Sequence, residues 1–184
     1  MARTENPAII HIPDELFETA ESRHFEGELS LAELAAGPDT YRFDGPVSWA
    51  VDVTNTGEAL LVMGQASARA LTGCARCLED VPYDLEGDIE GYFLAAGDRI
   101  EAPEDLEGDE FEVLSESHAI DLVPPVEQAL LLELPLVPLC DDDCRGLCPR
   151  CGANLNEGPC ACASDGGAAA GGPFAALKEF DFGV

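Results

Sequence analysis

The chain has 184 residues and carries 9 Lys+Arg against 37 Asp+Glu, a formal net charge of −28. That length suits one domain, or one domain with a small appendage, and 46% hydrophobic residues are enough for a packed core. The charge excludes a general basic nucleic-acid binder, because neutralising phosphates takes many Lys and Arg. It disfavours anionic membrane surfaces for the same reason and attracts basic partners instead.

The start, MARTENPAIIHIPDELFE, has no apolar stretch long enough for an export signal. Ile9–Ile12 reads as a short strand, and Glu28–Leu34 as a strand edge or a short helix. Over residues 47–95 the segments VSWAVDVTNT, EALLVMGQASARALTG and YDLEGDIEGYFL read as strands, with Asn55-Thr56-Gly57 as a turn. They predict an antiparallel sheet, a meander or barrel-like, with one wet face. Trp49 is a core or sheet-face aromatic.

Residues 98–112 form an acidic loop, and from Glu79 to Asp121 there are 16 acidic residues and one basic, Arg99. Such a run is a solvated face or a docking patch for a basic partner. Phe111–Ile120 is one more strand. Asp121 then N-caps a helix that tolerates Pro124 and Pro125 in its first turn. The helix runs to about Leu134, stops at Pro135, and is apolar nearly all round, which predicts burial. The longest apolar segment, Ala129–Leu139, is broken by Glu133 and by Pro135 and Pro138, and is far short of the roughly 20 residues of a membrane helix. These features predict a cytoplasmic protein, where disulfides do not persist.

That compartment matters for the cysteines, which are Cys74, Cys77, Cys140, Cys144, Cys148, Cys151, Cys160 and Cys162. Their spacings are C-x2-C, then C-x3-C-x3-C-x2-C, then C-x-C. Eight thiols divide into two sets of four, the ligand count of tetrahedral zinc. Pro149 stiffens the turn between Cys148 and Cys151, and Gly152 can take positive φ just after the second ligand. Two structural zinc ions are the expected cofactor. A thioredoxin-like pair lacks a βαβ context around Cys74, an iron–sulfur cluster lacks its C-x2-C-x2-C run, and disulfides suit another compartment. Local economy groups Cys148, Cys151, Cys160 and Cys162, with a loop containing Asn154, Asn156, Gly158 and Pro159 folding back between them, leaving Cys74, Cys77, Cys140 and Cys144 to join the tip of a hairpin to the end of the helix. The competing partition pairs Cys140/Cys144 with Cys148/Cys151. A metal clip between distant segments contributes most to stability.

The expected organisation is an α+β body over 1–139 with the Cys74/Cys77 hairpin, a zinc-binding segment over 140–162, and a Gly/Ala linker with a docking tail over 163–184. In that tail Phe174, Leu177 and Phe180 share a side. Arg76, Arg145 and Arg150 lie among the cysteines, either as charge compensation beside thiolates or as a small cationic spot for RNA or another acidic ligand. His11, His24 and His118 are isolated and form no metal-catalytic pattern. No GxSxG, GxGxxG or GxxxxGK[ST] occurs, so no catalytic residue, no small-molecule substrate and no enzymatic activity are expected.

The segments CARCLEDVPYDLEGDIEGYF, VEQALLLELPLVPLCDDDCRGLCPRCGANLNEGPC and PFAALKEF together resemble the YceD family, the large ribosomal RNA subunit accumulation proteins. The resemblance spans roughly Trp49 to Phe180. It implies a part in large-subunit (23S) ribosomal RNA synthesis, processing or accumulation, without a known enzymatic activity. It also implies that Cys74/Cys77 with Cys140/Cys144 form the basic site and that the later quartet is an addition, since some relatives have that quartet incomplete. At a net charge of −28 the expected partner is a basic ribosomal protein or assembly factor. The rival is a direct RNA contact through Arg76, Arg145 and Arg150, weak at physiological salt.

Overall fold

The structure is a computed structural model, and it describes residues 8–94, 112–114 and 117–163. Its centre is an antiparallel sheet. β5 (Val47–Asn55), β6 (Leu60–Gly73) and β7 (Asp80–Leu94) follow one another as a meander. β2 (Ser22–Leu29) pairs with the free edge of β5. The hairpin of β3 (Glu33–Ala36) and β4 (Asp39–Phe43) continues beyond β5 along β6, at Arg42↔Leu71 and Phe43↔Ala70. β8 (Glu112–Val113) runs parallel to the end of β7. β1 (Ile9–His11) and β9 (Ala119–Asp121) form a separate two-stranded ladder. The helix α1 (Val123–Glu133) covers one face of the sheet. The fold is α+β, and the sheet stays open: β2 and β7 do not pair, so the barrel-like form is not closed.

Period-two patterning explains the sheet's sidedness. In β5, Val47, Trp49, Val51 and Val53 are buried while Ser48 and Asp52 are exposed. β7 alternates in the same way, with Leu85 and Ile89 in and Asp84, Glu86, Asp88 and Glu90 out. The predicted meander and its turn are therefore as the patterning requires, with Gly57 at φ 97° in the β5–β6 connection.

Elsewhere the chain departs from the sequence reading. Of the two readings of residues 28–34 the strand holds and the helix does not: β2 ends at Leu29 and β3 starts at Glu33, because the segment leads into a hairpin whose turn uses Gly37 at φ 61°. The strand expected over Phe111–Ile120 is two short strands on different sheets, with His118 at φ 53° between them. Residues 98–111 of the acidic loop, with Ser115 and Glu116, lie outside the described residues, as do the linker and tail beyond Ala163. α1 is capped one residue later than expected, at Leu122, although the Asp121 carboxylate still accepts the Val123 N–H at 2.9 Å. Nor is the helix buried all round. Val126, Ala129 and Leu130 face the sheet, whereas Leu131 and Leu132 are 39% and 76% exposed, since a helix lying on one sheet presents one side to it.

The helix approaches so closely because the residue beneath it, Gly87, has no side chain. Gly27, Trp49, Ala66 and Gly87 are cross-strand neighbours in that order. A Cβ on Gly27 would lie 2.6 Å from the Trp49 ring, so the indole lies across the glycine. A Cβ on Gly87 would lie 2.3 Å from the Ala129 carbonyl oxygen, so the backbone of α1 rests on β7 at that point. Gly87→Val must lift the helix from the sheet. We expect a loss of about 1–3 kcal/mol from overpacking, read as a lower denaturant midpoint with an unchanged slope.

Candidate metal centres

Two turns carry the paired cysteines, and their backbones match. In the β6–β7 turn the Cys74 N–H donates to the Glu79 carbonyl at 2.8 Å and the Leu78 N–H to the Cys74 carbonyl at 2.9 Å. In the second turn the Cys148 N–H donates to the Ala153 carbonyl at 2.8 Å and the Gly152 N–H to the Cys148 carbonyl at 2.9 Å. Both turns need a left-handed residue just after the second cysteine, and Leu78 (φ 64°) and Gly152 (φ 73°) supply it. Glycine adopts that conformation freely. Leucine does so at a cost of roughly 1–2 kcal/mol, which tells that the Cys74 turn is held from outside itself.

What holds it is the segment after α1. The Tyr41 hydroxyl donates to the Pro135 carbonyl at 3.2 Å. The Tyr83 hydroxyl donates to the Leu139 carbonyl at 3.1 Å and accepts the Leu139 N–H at 2.9 Å. The Ala75 N–H donates to the carbonyl of the buried Pro138 at 2.8 Å. Two tyrosines of the sheet thus lay the Pro135–Leu139 linker against the β6–β7 turn and deliver Cys140 to it. The Arg76 guanidinium closes the far side, donating to the carbonyls of Asp142 at 2.9 Å and Cys144 at 3.0 Å. The Leu147 N–H returns a bond to the Arg76 carbonyl at 3.1 Å.

All eight predicted cysteines are placed, and they gather as Cys74/Cys77/Cys140/Cys144 and Cys148/Cys151/Cys160/Cys162, each set with its sulfurs within 4.8 Å of one another. In the first set the Cys74–Cys144 and Cys77–Cys140 sulfurs are 3.8 and 3.6 Å apart. A tetrahedral thiolate site with a metal–sulfur distance of about 2.3 Å has edges of roughly 3.8 Å. A disulfide needs about 2.05 Å. The donor set therefore fits a thiophilic tetrahedral cation. In the first quartet Cys74, Cys77 and Cys144 are buried and Cys140 is exposed. In the second only Cys148 is buried.

The thiols behave as groups that compete for negative charge. Burial raises the Cys74 thiol, but the N–H groups of Cys77, Arg76 and Cys140 together outweigh it and bring it to about 6. Bonds from the N–H groups of Arg150 and Cys151 bring Cys148 to about 6 as well. Cys140 is pushed up to about 12, chiefly by its contact with the Cys144 sulfur, and Cys162 to about 12 by its contact with Cys151. One sulfur becomes anionic at the expense of its neighbour, and a central cation is what lets all four ionise together.

The sequence reading missed Asn156. It sits on the second cysteine hairpin, where Leu147 and Asn154 form an antiparallel bridge. Its side-chain amide donates to the Cys144 sulfur at 3.3 Å, and its carbonyl oxygen accepts the Arg145 N–H at 2.7 Å. Asn156 therefore couples the two centres, and its hydrogen bond lowers the Cys144 thiol from its ordinary value. The asparagines in GANLN were the only signal, and they read as loop residues. Of the arginines, Arg76 is committed to backbone carbonyls, while Arg145 and Arg150 are exposed. The histidines stand apart from both quartets: His24 bonds Asp52 at 2.9 Å, and the His118 ring lies 4.6 Å from that of Phe17. Trp49 is a core residue, 4% exposed.

A family model described as large ribosomal RNA subunit accumulation protein YceD matches residues 62–181, which takes in most of β6, all of β7 and α1, and every cysteine. The chain belongs to the YceD family. An uncharacterized protein of Mycobacterium tuberculosis is 31% identical over 148 residues, covering 80% of this chain and 67% of its own. An Arabidopsis thaliana protein named large ribosomal RNA subunit accumulation protein YCED homolog 1, chloroplastic, is 26% identical over 157 residues, 73% of this chain and 49% of its own. Its Zea mays counterpart is 27% identical over 142 residues. This chain spans about half the length of the two plant relatives. No solved structure matches it. Among the described residues no helix is long and apolar enough to cross a membrane.

Two outcomes follow from the YceD-family site. Tyr83→Phe strands the Leu139 N–H and carbonyl together, and we expect it to lower unfolding free energy by about 1–3 kcal/mol, measured by denaturant titration. Asn156→Ala should weaken metal retention at the first quartet by about 10–100-fold, the usual effect of removing a group that bonds a ligand, although Asn156 belongs to the other hairpin. Chelator competition on the purified protein reads this directly.

Proposed function

We propose that this protein is a non-enzymatic, cytoplasmic ribosome-biogenesis factor that supports the synthesis, processing or accumulation of large-subunit (23S) ribosomal RNA. Two zinc ions stabilise it, one held by Cys74, Cys77, Cys140 and Cys144 and the other by Cys148, Cys151, Cys160 and Cys162. Membership of the YceD family carries the ribosomal part of this reading. The printed name of the plant relatives, large ribosomal RNA subunit accumulation protein, is consistent with it. The sulfur spacing of 3.6–3.8 Å supports zinc. Zinc has no redox chemistry and a tetrahedral four-thiolate site has no open position, so its role here is structural.

The surface charge supports a protein partner over RNA. A net charge of −28 repels phosphates, and Arg76 is spent on two backbone carbonyls beside the first quartet. The partner in this reading is a basic ribosomal protein or assembly factor, and any contact with 23S ribosomal RNA is indirect or weak.

The test has two arms. Deleting the gene in its host should lower the ratio of 23S to 16S ribosomal RNA and the free large-subunit peak in sucrose gradients. The wild-type gene should restore both, and Cys74→Ser/Cys77→Ser should not. An unchanged ratio in the deletion strain removes the ribosomal reading. Native mass spectrometry of the purified chain should show two zinc ions, and Cys151→Ser should lose one of them while leaving the sheet's circular dichroism intact.

A further inference from the structure

The outer edge of β7 is an open strand edge among the described residues. β7 pairs with β6 along its whole length, from Leu60↔Phe93 to Gly73↔Asp80. On its other side β8 engages only Phe93 and Leu94. A row of unpaired backbone donors and acceptors is a template for another strand.

The two sides of this edge differ in chemistry. On the outer face Asp84, Glu86, Asp88 and Glu90 stand in one exposed row, two residues apart. Beside that row Arg69 lies 3.7 Å from Asp84, and Gln65 donates to Asp88 at 3.2 Å. Neither Glu86 nor Glu90 has an ion pair among the described residues. On the inner face α1 flanks the strand where its backbone rests on Gly87. Between helix and strand lies a groove of about 280 Å³, lined by Asp88, Glu90, Pro125, Gln128, Ala129 and Leu132. Leu132 is 76% exposed there, on the helix whose opposite side fills the core.

We infer that this edge receives an extended segment of a basic partner protein, added beside β7 as an extra strand, in which Lys or Arg alternates with apolar residues. Successive side chains of an added strand point to opposite faces. Its basic residues then face the Glu86–Asp88–Glu90 row, and its apolar residues reach Pro125 and Leu132. Main-chain bonds hold such a strand, and the alternating pockets select it. Charge decides the occupant. A second copy of this chain, or its own residues 95–111, would bring further Asp and Glu to a row that already repels them. That the partner is a ribosomal or assembly protein rests on the reading above, but the chemistry of the groove does not.

The test uses the zinc-loaded full chain and two labelled synthetic peptides at physiological salt. One alternates Lys and Val; the other has the same composition with the residues in blocks. We expect saturable fluorescence anisotropy with the alternating peptide alone, and slowed hydrogen exchange along β7 when it is bound. Asp88→Lys/Glu90→Lys and, separately, Leu132→Asp should each weaken binding by at least ~10-fold. Both variants change exposed side chains, and circular dichroism checks that they fold. Equal binding of the two peptides, protection confined to another strand, or full affinity in both variants overturns the inference. The ribosomal RNA ratio of the deletion strain is read without this groove, so the two proposals fail separately.

Discussion

Four sulfurs within 4.8 Å of one another, three of them in buried residues, are a demanding arrangement for a folded chain. Like charges that close cannot all ionise in a buried place unless a cation sits among them. In the first quartet that demand falls on segments about 60–70 residues apart, since Cys77 meets Cys140 and Cys74 meets Cys144. The hairpin tip, the end of α1 and the start of the second cysteine hairpin all converge there. Remove the attraction at the centre and the long closed loop between Cys77 and Cys140 regains its freedom, which is the entropic reason a clip across it matters.

The rest of the body is arranged to make that convergence cheap. Small residues at Gly27, Ala66 and Gly87 let Trp49 and the backbone of α1 sit close against the sheet. The helix then ends where Pro135 can meet the Tyr41 hydroxyl and Leu139 can meet Tyr83. Hydrogen bonds to Tyr41 and Tyr83 of the sheet lay down the linker, so the fold itself brings the four thiols of the first quartet together. The second quartet is different. Its members fall between residues 148 and 162, three of the four are not buried, and its tie to the body runs through Asn156 and Cys144. It is an attachment to the first centre, which agrees with its being the more local of the two motifs.

Charge sets the remaining character of the molecule. The outer sheet face collects Asp52, Asp84, Glu86, Asp88 and Glu90, while the inner face is almost wholly apolar. One sheet thus serves as both core and acidic exterior. An acidic exterior attracts basic partners and repels nucleic acid, which is the physical ground for proposing a protein partner.

Much of this was legible in the linear chain. Alternation placed β5, β6 and β7, because a strand's side-chain period is short enough to be read locally. Cysteine spacing marked the pairs that share a tight turn and the local set Cys148, Cys151, Cys160 and Cys162, but it left the partition of Cys140 and Cys144 open, because their partners Cys77 and Cys74 lie 63 and 70 residues away. Leu78 was not legible: nothing local marks a leucine for the left-handed region, and the turn that places it there is braced by the distant linker at Ala75. Asn156 read as a loop residue because its partner sulfur is 12 residues away on another turn. The helix read as fully buried because its composition is apolar on all sides, whereas exposure depends on how many neighbours cover it, and a single open sheet covers only one side of α1. Composition, period and motif spacing were determined by the sequence itself. The openness of the sheet, the exposed Leu132 and the joining of the two centres were decided by contacts between distant segments, which no local pattern encodes.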